Sequence, residues 1–373
     1  MKKIAFLSGT RADFGKIKSL IQVLKEQDDF EPHIFVTGMH LDKKYGYTVL
    51  EIEKSGFQNI HKFENTTCET TMDLTLAKTI QGFSNYVNQL KPNLIVVHGD
   101  RVEALAGAIV GSLNNILVAH IEGGEKSGTI DELIRHSVSK MSHLHFVSNV
   151  EAQQRLLQMG EIPESIQVIG SPDVDIMFSK NLPEIQEVKK YYAIPFEKYS
   201  IAMFHPVTTE VEYMEEYANN FVAALLLSED NYLVVFPNND LGSEKILKAY
   251  QQLENNIKFR ILPSLRFEYF LVLLKNAKSI IGNSSAGVRE APYYNIPTIN
   301  VGTRQQNRAS YKTIINCNYI KEDVLKAIEE SKIQNKNNKL IDFGNGNSAQ
   351  LFLETLKNTK IWELSKQKQF RDI

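Results

Sequence analysis

Three carboxylates stand where two predicted strands end and one predicted helix begins: Asp100 in His98-Gly99-Asp100, Glu122 in His120-Ile121-Glu122-Gly123-Gly124-Glu125, and Asp131. The first two groups directly follow the apolar runs Leu94-Ile95-Val96-Val97 and Ile116-Leu117-Val118-Ala119. A parallel α/β sheet places its site at the carboxyl ends of its strands, so this spacing gathers acids in one region. Crowded carboxylates push one another's pKa values apart, and one then serves as acid while another serves as base. The chemistry indicated is proton transfer. One such Asp alone caps the following helix as readily as it does chemistry. Three acids with two histidines, all at strand ends or helix starts, favour the catalytic reading.

The elements that must position these groups alternate along the chain. Strands are predicted at 4–8, 33–37, 94–98, 117–121, 144–147 and 167–169, with helices at 14–25, 72–90, 101–113, 131–141 and 149–159. Strands alternating with helices give right-handed βαβ units and a parallel sheet. Gly170-Ser171-Pro172 punctuates the first half, and a polar stretch with Pro183 and Pro195 reads as a linker with a leading helix. The alternation then restarts, with strands at 199–204, 232–236, 258–261, 279–281 and 298–301. Helices are predicted between them at 212–227, 243–254, 267–276 and 285–293. Residues 331–347 read as loop, and a last helix is predicted over 349–367. The expected architecture is therefore α/β, with two Rossmann-type domains at 1–172 and 173–348 whose parallel sheets face a central cleft. The segment from about 349 to 373 is expected to return to the first domain.

A second set of residues suits an anion. Gly9-Thr10-Arg11-Ala12-Asp13-Phe14-Gly15-Lys16 follows the first strand and opens a helix, whose amino terminus favours negative charge, and Arg11 and Lys16 add to it. It matches neither the P-loop nor the Gly-x-Gly-x-x-Gly pattern, so ATP and NAD are not indicated. In the second half, Gly282-Asn283-Ser284-Ser285-Ala286-Gly287 runs from a strand into a helix, and small residues there let backbone amides and hydroxyls approach a phosphate. Glu290, about two turns into that predicted helix, suits the two hydroxyls of a ribose. Ser285 lacks the Gly-x-Ser-x-Gly flanks of a nucleophile elbow. His205 ends a strand and suits a diphosphate oxygen or a proton shuttle. Asn238 in Pro237-Asn238-Asn239-Asp240 is a polar ligand candidate, and Arg304 and Arg308 are natural clamps for an anion. Each of these groups taken alone is also compatible with a solvated loop or a structural cap.

Composition bounds the rest. A chain of 373 residues exceeds one ordinary core. With 42 basic and 44 acidic residues the net charge is −2, which offers no bulk attraction to nucleic acid or a membrane surface. No apolar run approaches the roughly 18 residues of a membrane span. The opening Met-Lys-Lys-Ile-Ala-Phe-Leu-Ser-Gly is too short in its apolar part for a signal peptide and reads as the first strand. Cys68 and Cys317 form no spacing motif, which fits a reducing cytoplasm without structural disulfides. No set of His and acidic residues has zinc-site spacing, so no metal is expected.

Taken in order, these motifs resemble the UDP-N-acetylglucosamine 2-epimerase family, and within it the hydrolysing branch that feeds sialic and related nonulosonic acid synthesis. The resemblance rests on Gly-Thr-Arg-Ala-Asp at 9–13, His-Gly-Asp-Arg at 98–101, His-Ile-Glu-Gly-Gly-Glu at 120–125, Asp131 to His136, His205-Pro206, Asn283 to Glu290 and Gly302 to Arg308. It spans nearly the whole chain. The non-hydrolysing branch typically carries Gly-Thr-Arg-Pro-Glu and His-x-Glu-Ala-Gly, where this chain has Ala12-Asp13 and Gly123-Gly124. The resemblance implies a GT-B-like fold with the nucleotide sugar between two Rossmann-type domains. It implies Ser284 and Ser285 for phosphate, Glu290 for ribose, His205 and Arg304 for the diphosphate, and Asn238 for the nucleotide. Arg11 and Arg101 would reach across from the first domain, and Lys16 stays a binding candidate on its charge alone.

The family's catalytic carboxylates correspond to Asp100, Glu122 and Asp131. The implied reaction converts UDP-N-acetylglucosamine and water to N-acetylmannosamine and UDP without a cofactor. Removal of the C2 proton and expulsion of UDP give a 2-acetamidoglucal, and hydration follows. Asp100 and Asp131 are favoured for the elimination, His205 for the departing diphosphate and Glu122 for reprotonation. The same reaction on UDP-N,N′-diacetylbacillosamine is the alternative, with a non-hydrolysing epimerase or a GT-B glycosyltransferase behind it. The family is usually dimeric or tetrameric, so a cytoplasmic homo-oligomer is expected. Its bovine and human-type members carry a following kinase domain, which is not expected here. Those members also take CMP-sialic acid as feedback inhibitor partly through a Lys. The aligned position here is Glu244, which speaks against such feedback.

Overall fold

Short runs of β-branched and aromatic residues become fully buried strands because helices cover both faces of a parallel sheet. The computed structural model describes residues 1–66, 71–127, 130–306, 311–333 and 343–371. Seven strands form the first sheet: β1 (Lys2–Ser8), β2 (Phe30–Val36), β3 (Ile60–Lys62), β4 (Leu94–His98), β5 (Leu117–Ile121), β6 (Leu144–Val147) and β7 (Ile166–Val168). Six form the second: β8 (Ser200–Met203), β9 (Tyr232–Val235), β10 (Phe259–Leu262), β11 (Ile280–Gly282), β12 (Thr298–Val301) and β13 (Ile314–Cys317). The orders are β3-β2-β1-β4-β5-β6-β7 and β10-β9-β8-β11-β12-β13, and every pair is parallel. Strand order reverses between β1 and β4 in the first sheet and between β8 and β11 in the second. Such a switch point opens a crevice at the carboxyl ends of its strands.

The chain divides into two compact units, one of Met1–Glu125, Asp131–Lys180 and Asp342–Ile373, the other of Lys126–Ile130 and Asn181–Ile341. In the first, the helices Arg11–Lys25 and Ser348–Lys357 lie on a core of Ile4, Phe6, Ile17, Leu20, Val96 and Phe146. Phe352 fills the space between Phe6 and Phe146, with ring centroids 6.5 and 4.7 Å away. The predicted helix over 349–367 is corrected here: it ends at Lys357, where Asn358 turns to extended backbone and its side chain caps Lys360 N, and a 3-10 turn Thr359–Glu363 follows. Among the described residues no helix is long and apolar enough to cross a membrane.

The helix Val102–Leu113 approaches its sheet unusually closely, and glycine is what allows it. A methyl group on Gly107 would stand 2.5 Å from Val97 Cγ1, and one on Gly111 2.3 Å from Val118 Cγ2. This seating fixes the turn Gly99–Arg101 that joins β4 to the helix. In the second unit Gly282 has φ +131°, and a methyl group there would meet the Met203 carbonyl oxygen at 2.0 Å. Only glycine lets β11 and β8 end side by side.

Candidate active site

At the first sheet's switch point, β1 and the helix Arg11–Lys25 bring Asp13 and Lys16, β4 brings His98 and Asp100, and β5 brings Glu122. His98 stands between two acids: Nδ1 is 3.3 Å from Asp13 Oδ1 and Nε2 is 3.1 Å from Glu122 Oε2. Burial pushes the imidazole toward its neutral form, but the charge of Glu122 and the bonds to both acids outweigh it and raise its pKa to about 9. His98 is therefore an imidazolium at neutral pH. Burial also works to raise the Asp13 pKa, but His98 and Arg101 overcome it and hold Asp13 below the usual carboxylate range.

Glu122 is the hub. Its side chain is 3% exposed, with Lys16 Nζ 3.6 Å from Oε2 and Ser171 donating to Oε1. Lys16 also pairs with Asp173 at 3.3 Å. Glu122 has φ +63°, left-handed backbone uncommon outside glycine. Its amide donates to Phe146 O at 2.9 Å, which holds the turn where the carboxylate is delivered. Strain of this kind concentrates at functional sites.

Arg135 ties two strand ends together. From the helix Ile130–Met141 its guanidinium donates to the Asp100 carboxylate and, at 2.7 Å, to the Glu122 carbonyl, with Glu125 Oε2 3.9 Å away. Asp131 lies in the first turn of the same helix, four residues before Arg135 and so on the same side. Arg101 Nε is 3.5 Å from Glu103 Oε2, and Arg11 pairs with Glu51.

The second unit's switch point is braced by Asn283, which is fully buried. Its Oδ1 accepts from the His205 amide at 2.6 Å and its Nδ2 donates to the His205 carbonyl at 2.8 Å. The His205 ring accepts the Asn238 amide on Nδ1 at 3.0 Å, so its proton in the neutral form sits on Nε2, a donor. Arg304 Nη1 and Gln305 Nε2 donate to the Asn283 carbonyl at 3.3 and 3.0 Å. Asn238 Nδ2 donates to Asp240. Ser284 Oγ accepts from the Ala286 amide at 3.3 Å, and Ser285 holds the N-cap position without a side-chain cap bond.

One expectation is corrected: the helix after β11 spans only Ala286–Arg289, so Glu290 is its C-cap residue and not two turns inside it. Pro292, which cannot continue an α-helix, opens a 3-10 turn there. Glu290 is buried. Arg308 and Cys68 lie outside the described residues.

The structure thus gathers Asp100 and Glu122 with Lys16 around the first switch point, and His205, Asn238, Ser284 and Arg304 around the second. Asp13, Arg135, Ser171 and Asp173 were not singled out as site residues in the sequence, and His98 was counted among the histidines near the acids without a role of its own. His98 carried a signal, as the last residue of a strand directly before Gly99-Asp100. Arg135 and Asp173 carried none, since their roles come from tertiary packing. Among the described residues no group of three or more His, Cys, Asp or Glu is arranged to hold a metal ion.

A buried His98 held as a cation stabilises the fold while it stays protonated. Its folded pKa of about 9 exceeds the ordinary 6.5. The contribution, on the order of 3 kcal/mol, is complete below about pH 6.5 and is lost as pH rises through about 9. The difference in melting temperature between the wild type and His98→Gln is therefore expected to narrow between pH 6.5 and 9.5. A constant difference across that window would contradict the assignment.

Two parallel sheets, each wound in Rossmann order, place this protein in the GT-B-like class of α/β folds. Residues 22–357 match the UDP-N-acetylglucosamine 2-epimerase family, and the chain belongs to that family. It is 47% identical over 376 residues to the UDP-N-acetylglucosamine 2-epimerase of Neisseria meningitidis serogroup B, covering 100% of both chains. It is 32% identical to the hydrolysing UDP-N,N′-diacetylbacillosamine 2-epimerase of Legionella pneumophila, covering 96% of both chains. Its fold matches the crystal structure of the Methanocaldococcus jannaschii UDP-GlcNAc 2-epimerase in complex with UDP-GlcNAc and UDP. That match has a TM-score of 0.82 at 24% identity, over 95% of this chain and 99% of that one.

Proposed function

We propose that this protein is a hydrolysing UDP-N-acetylglucosamine 2-epimerase, converting UDP-N-acetylglucosamine and water to N-acetylmannosamine and UDP. The observation that carries the reading is the proton-bearing cluster at the first switch point: protonated His98 between Asp13 and Glu122, beside an Asp100 held by Arg135. Family membership and the Neisseria relative support the substrate, and the Legionella relative supports the hydrolysing outcome.

In this reading Asp100 takes the C2 proton, with Asp131, from the helix that carries Arg135, assigned to assist. The C2–H electron pair forms the C1=C2 bond of 2-acetamidoglucal while the C1–O bond breaks and its pair leaves on UDP. The C2 proton is only weakly acidic, so leaving-group stabilisation must lower much of the barrier. The Nε2–H of His205, the Arg304 guanidinium and the amides at Ser284 and Ser285 are assigned that task, with Asn238 and Glu290 on the nucleoside. His98 passes its proton to Glu122 across their 3.1 Å bond, and Glu122 delivers it to C2 on the opposite face; water adds as hydroxyl to C1, and its remaining proton returns through Glu122 to His98. No oxidation state changes overall.

The Legionella relative gives a second reading, in which the sugar is N,N′-diacetylbacillosamine. Incubating the protein separately with the two UDP-sugars and quantifying free UDP and free hexosamine decides between them. UDP-N-acetylglucosamine is expected to turn over at least tenfold more efficiently, and the reverse preference would overturn the substrate assignment.

A further inference from the structure

The carboxyl end of the helix Ile130–Met141 is held by a side chain that arrives more than 200 residues later. Lys368 Nζ donates to the carbonyls of Ser139 at 3.3 Å and Ser142 at 2.6 Å, and pairs with Glu161 at 2.5 Å. Carbonyls at a helix end lack intrahelical partners and carry partial negative charge, so an ammonium there satisfies both needs. Glu161, 1% exposed, also accepts from His145 Nε2 and Lys140 Nζ, each at 3.0 Å. The tail around Lys368 is fixed as well. His143 Nδ1 accepts the Val118 amide at 3.1 Å, which leaves its Nε2 proton to donate to Lys366 O at 3.1 Å.

From this helix end a hydrogen-bond chain leads to the proton-transfer cluster. His120 Nε2 is 2.8 Å from the Gly99 carbonyl and its Nδ1 is 2.9 Å from Ser139 Oγ. A carbonyl only accepts, so Nε2 carries the proton and the Ser139 hydroxyl donates to Nδ1. Burial pushes the His120 pKa down to about 3, and the ring stays neutral in this orientation. Gly99 precedes Asp100, and the same helix carries Asp131 and Arg135, which grips Asp100.

We propose that Lys368 is a positioning residue for the proton-transfer cluster. By capping the helix Ile130–Met141 it sets where Arg135 stands, and through Ser139 and His120 it sets the Gly99 carbonyl and with it Asp100. This rests on the reading above, in which Asp100 takes part in the chemistry.

The test compares Lys368→Met, which keeps the aliphatic stem, with Lys368→Arg, which restores a cation able to reach the same carbonyls. Lys368→Met is expected to lower kcat about ten- to a hundredfold through misplacement. KM and the UDP dissociation constant stay within about twofold of wild type, and amide exchange quickens over residues 136–141 and 99–101. Lys368→Arg recovers most of kcat and the protection. Unchanged kcat and exchange in Lys368→Met would overturn the proposal. So would a loss that Arg does not restore and that comes with an equal loss of UDP binding, the mark of a structural role. Absence of turnover in the wild type would refute the functional reading, while exchange over the two segments would still decide whether Lys368 holds them.

Discussion

Asp100→Asn is expected to lower kcat by about three orders of magnitude, the range of a positioned general base, while leaving UDP affinity within about twofold. The carboxylate is the acceptor for Arg135, whose other nitrogen holds the Glu122 carbonyl. An amide at position 100 still offers Arg135 an oxygen, so the geometry persists while the base is lost. The UDP ligands proposed here, His205, Ser284, Ser285 and Arg304, belong to the second unit and are untouched. Calorimetric titration with UDP, alongside a turnover assay, checks both halves. Turnover surviving within tenfold would remove Asp100 from the chemistry, and loss of UDP binding would show a wider structural role.

Glu122→Gln is expected to act on activity and on His98 together. Against burial, the charge of Glu122 leads the influences that keep His98 protonated. Without that charge the imidazole pKa falls from about 9 toward its ordinary value, and Lys16 loses a carboxylate partner while keeping Asp173. Turnover falls about a thousandfold, because reprotonation at C2 loses its donor. Histidine ring NMR across pH 6 to 10 reports the shift directly. An unmoved His98 titration would show that Asp13 alone holds the proton, and the relay assigned to Glu122 would fail.

Much of this was legible in the chain because buried parallel strands are continuous apolar runs. β4, β5, β6 and β12 stand where the pattern places them. Two edge strands escaped it. β3 is three residues, Ile60-His61-Lys62, largely solvent-facing, and β13 has a half-buried pattern without alternation. The helix Lys321–Ser331 was readable in principle, since Val324, Ala327, Ile328 and Ser331 recur at helical spacing, but no element is assigned there from the sequence. The site divides similarly. Carboxylates at strand ends are visible from spacing, whereas Asp13, Arg135, Ser171 and Asp173 meet Glu122, His98, Asp100 and Lys16 only through the winding of β1, β4, β5 and the chain after β7. Glu290 shows the limit of local reading, because a proline two residues later ended its helix early.

The most direct test follows the C2 proton itself. The purified protein is incubated with UDP-N-acetylglucosamine in deuterium oxide and the products are followed by proton NMR. The account predicts free UDP together with N-acetylmannosamine carrying deuterium at C2, because the proton taken from one face is replaced from solvent on the other. N-acetylmannosamine that keeps its protium at C2, or UDP-N-acetylmannosamine formed without release of UDP, would contradict it.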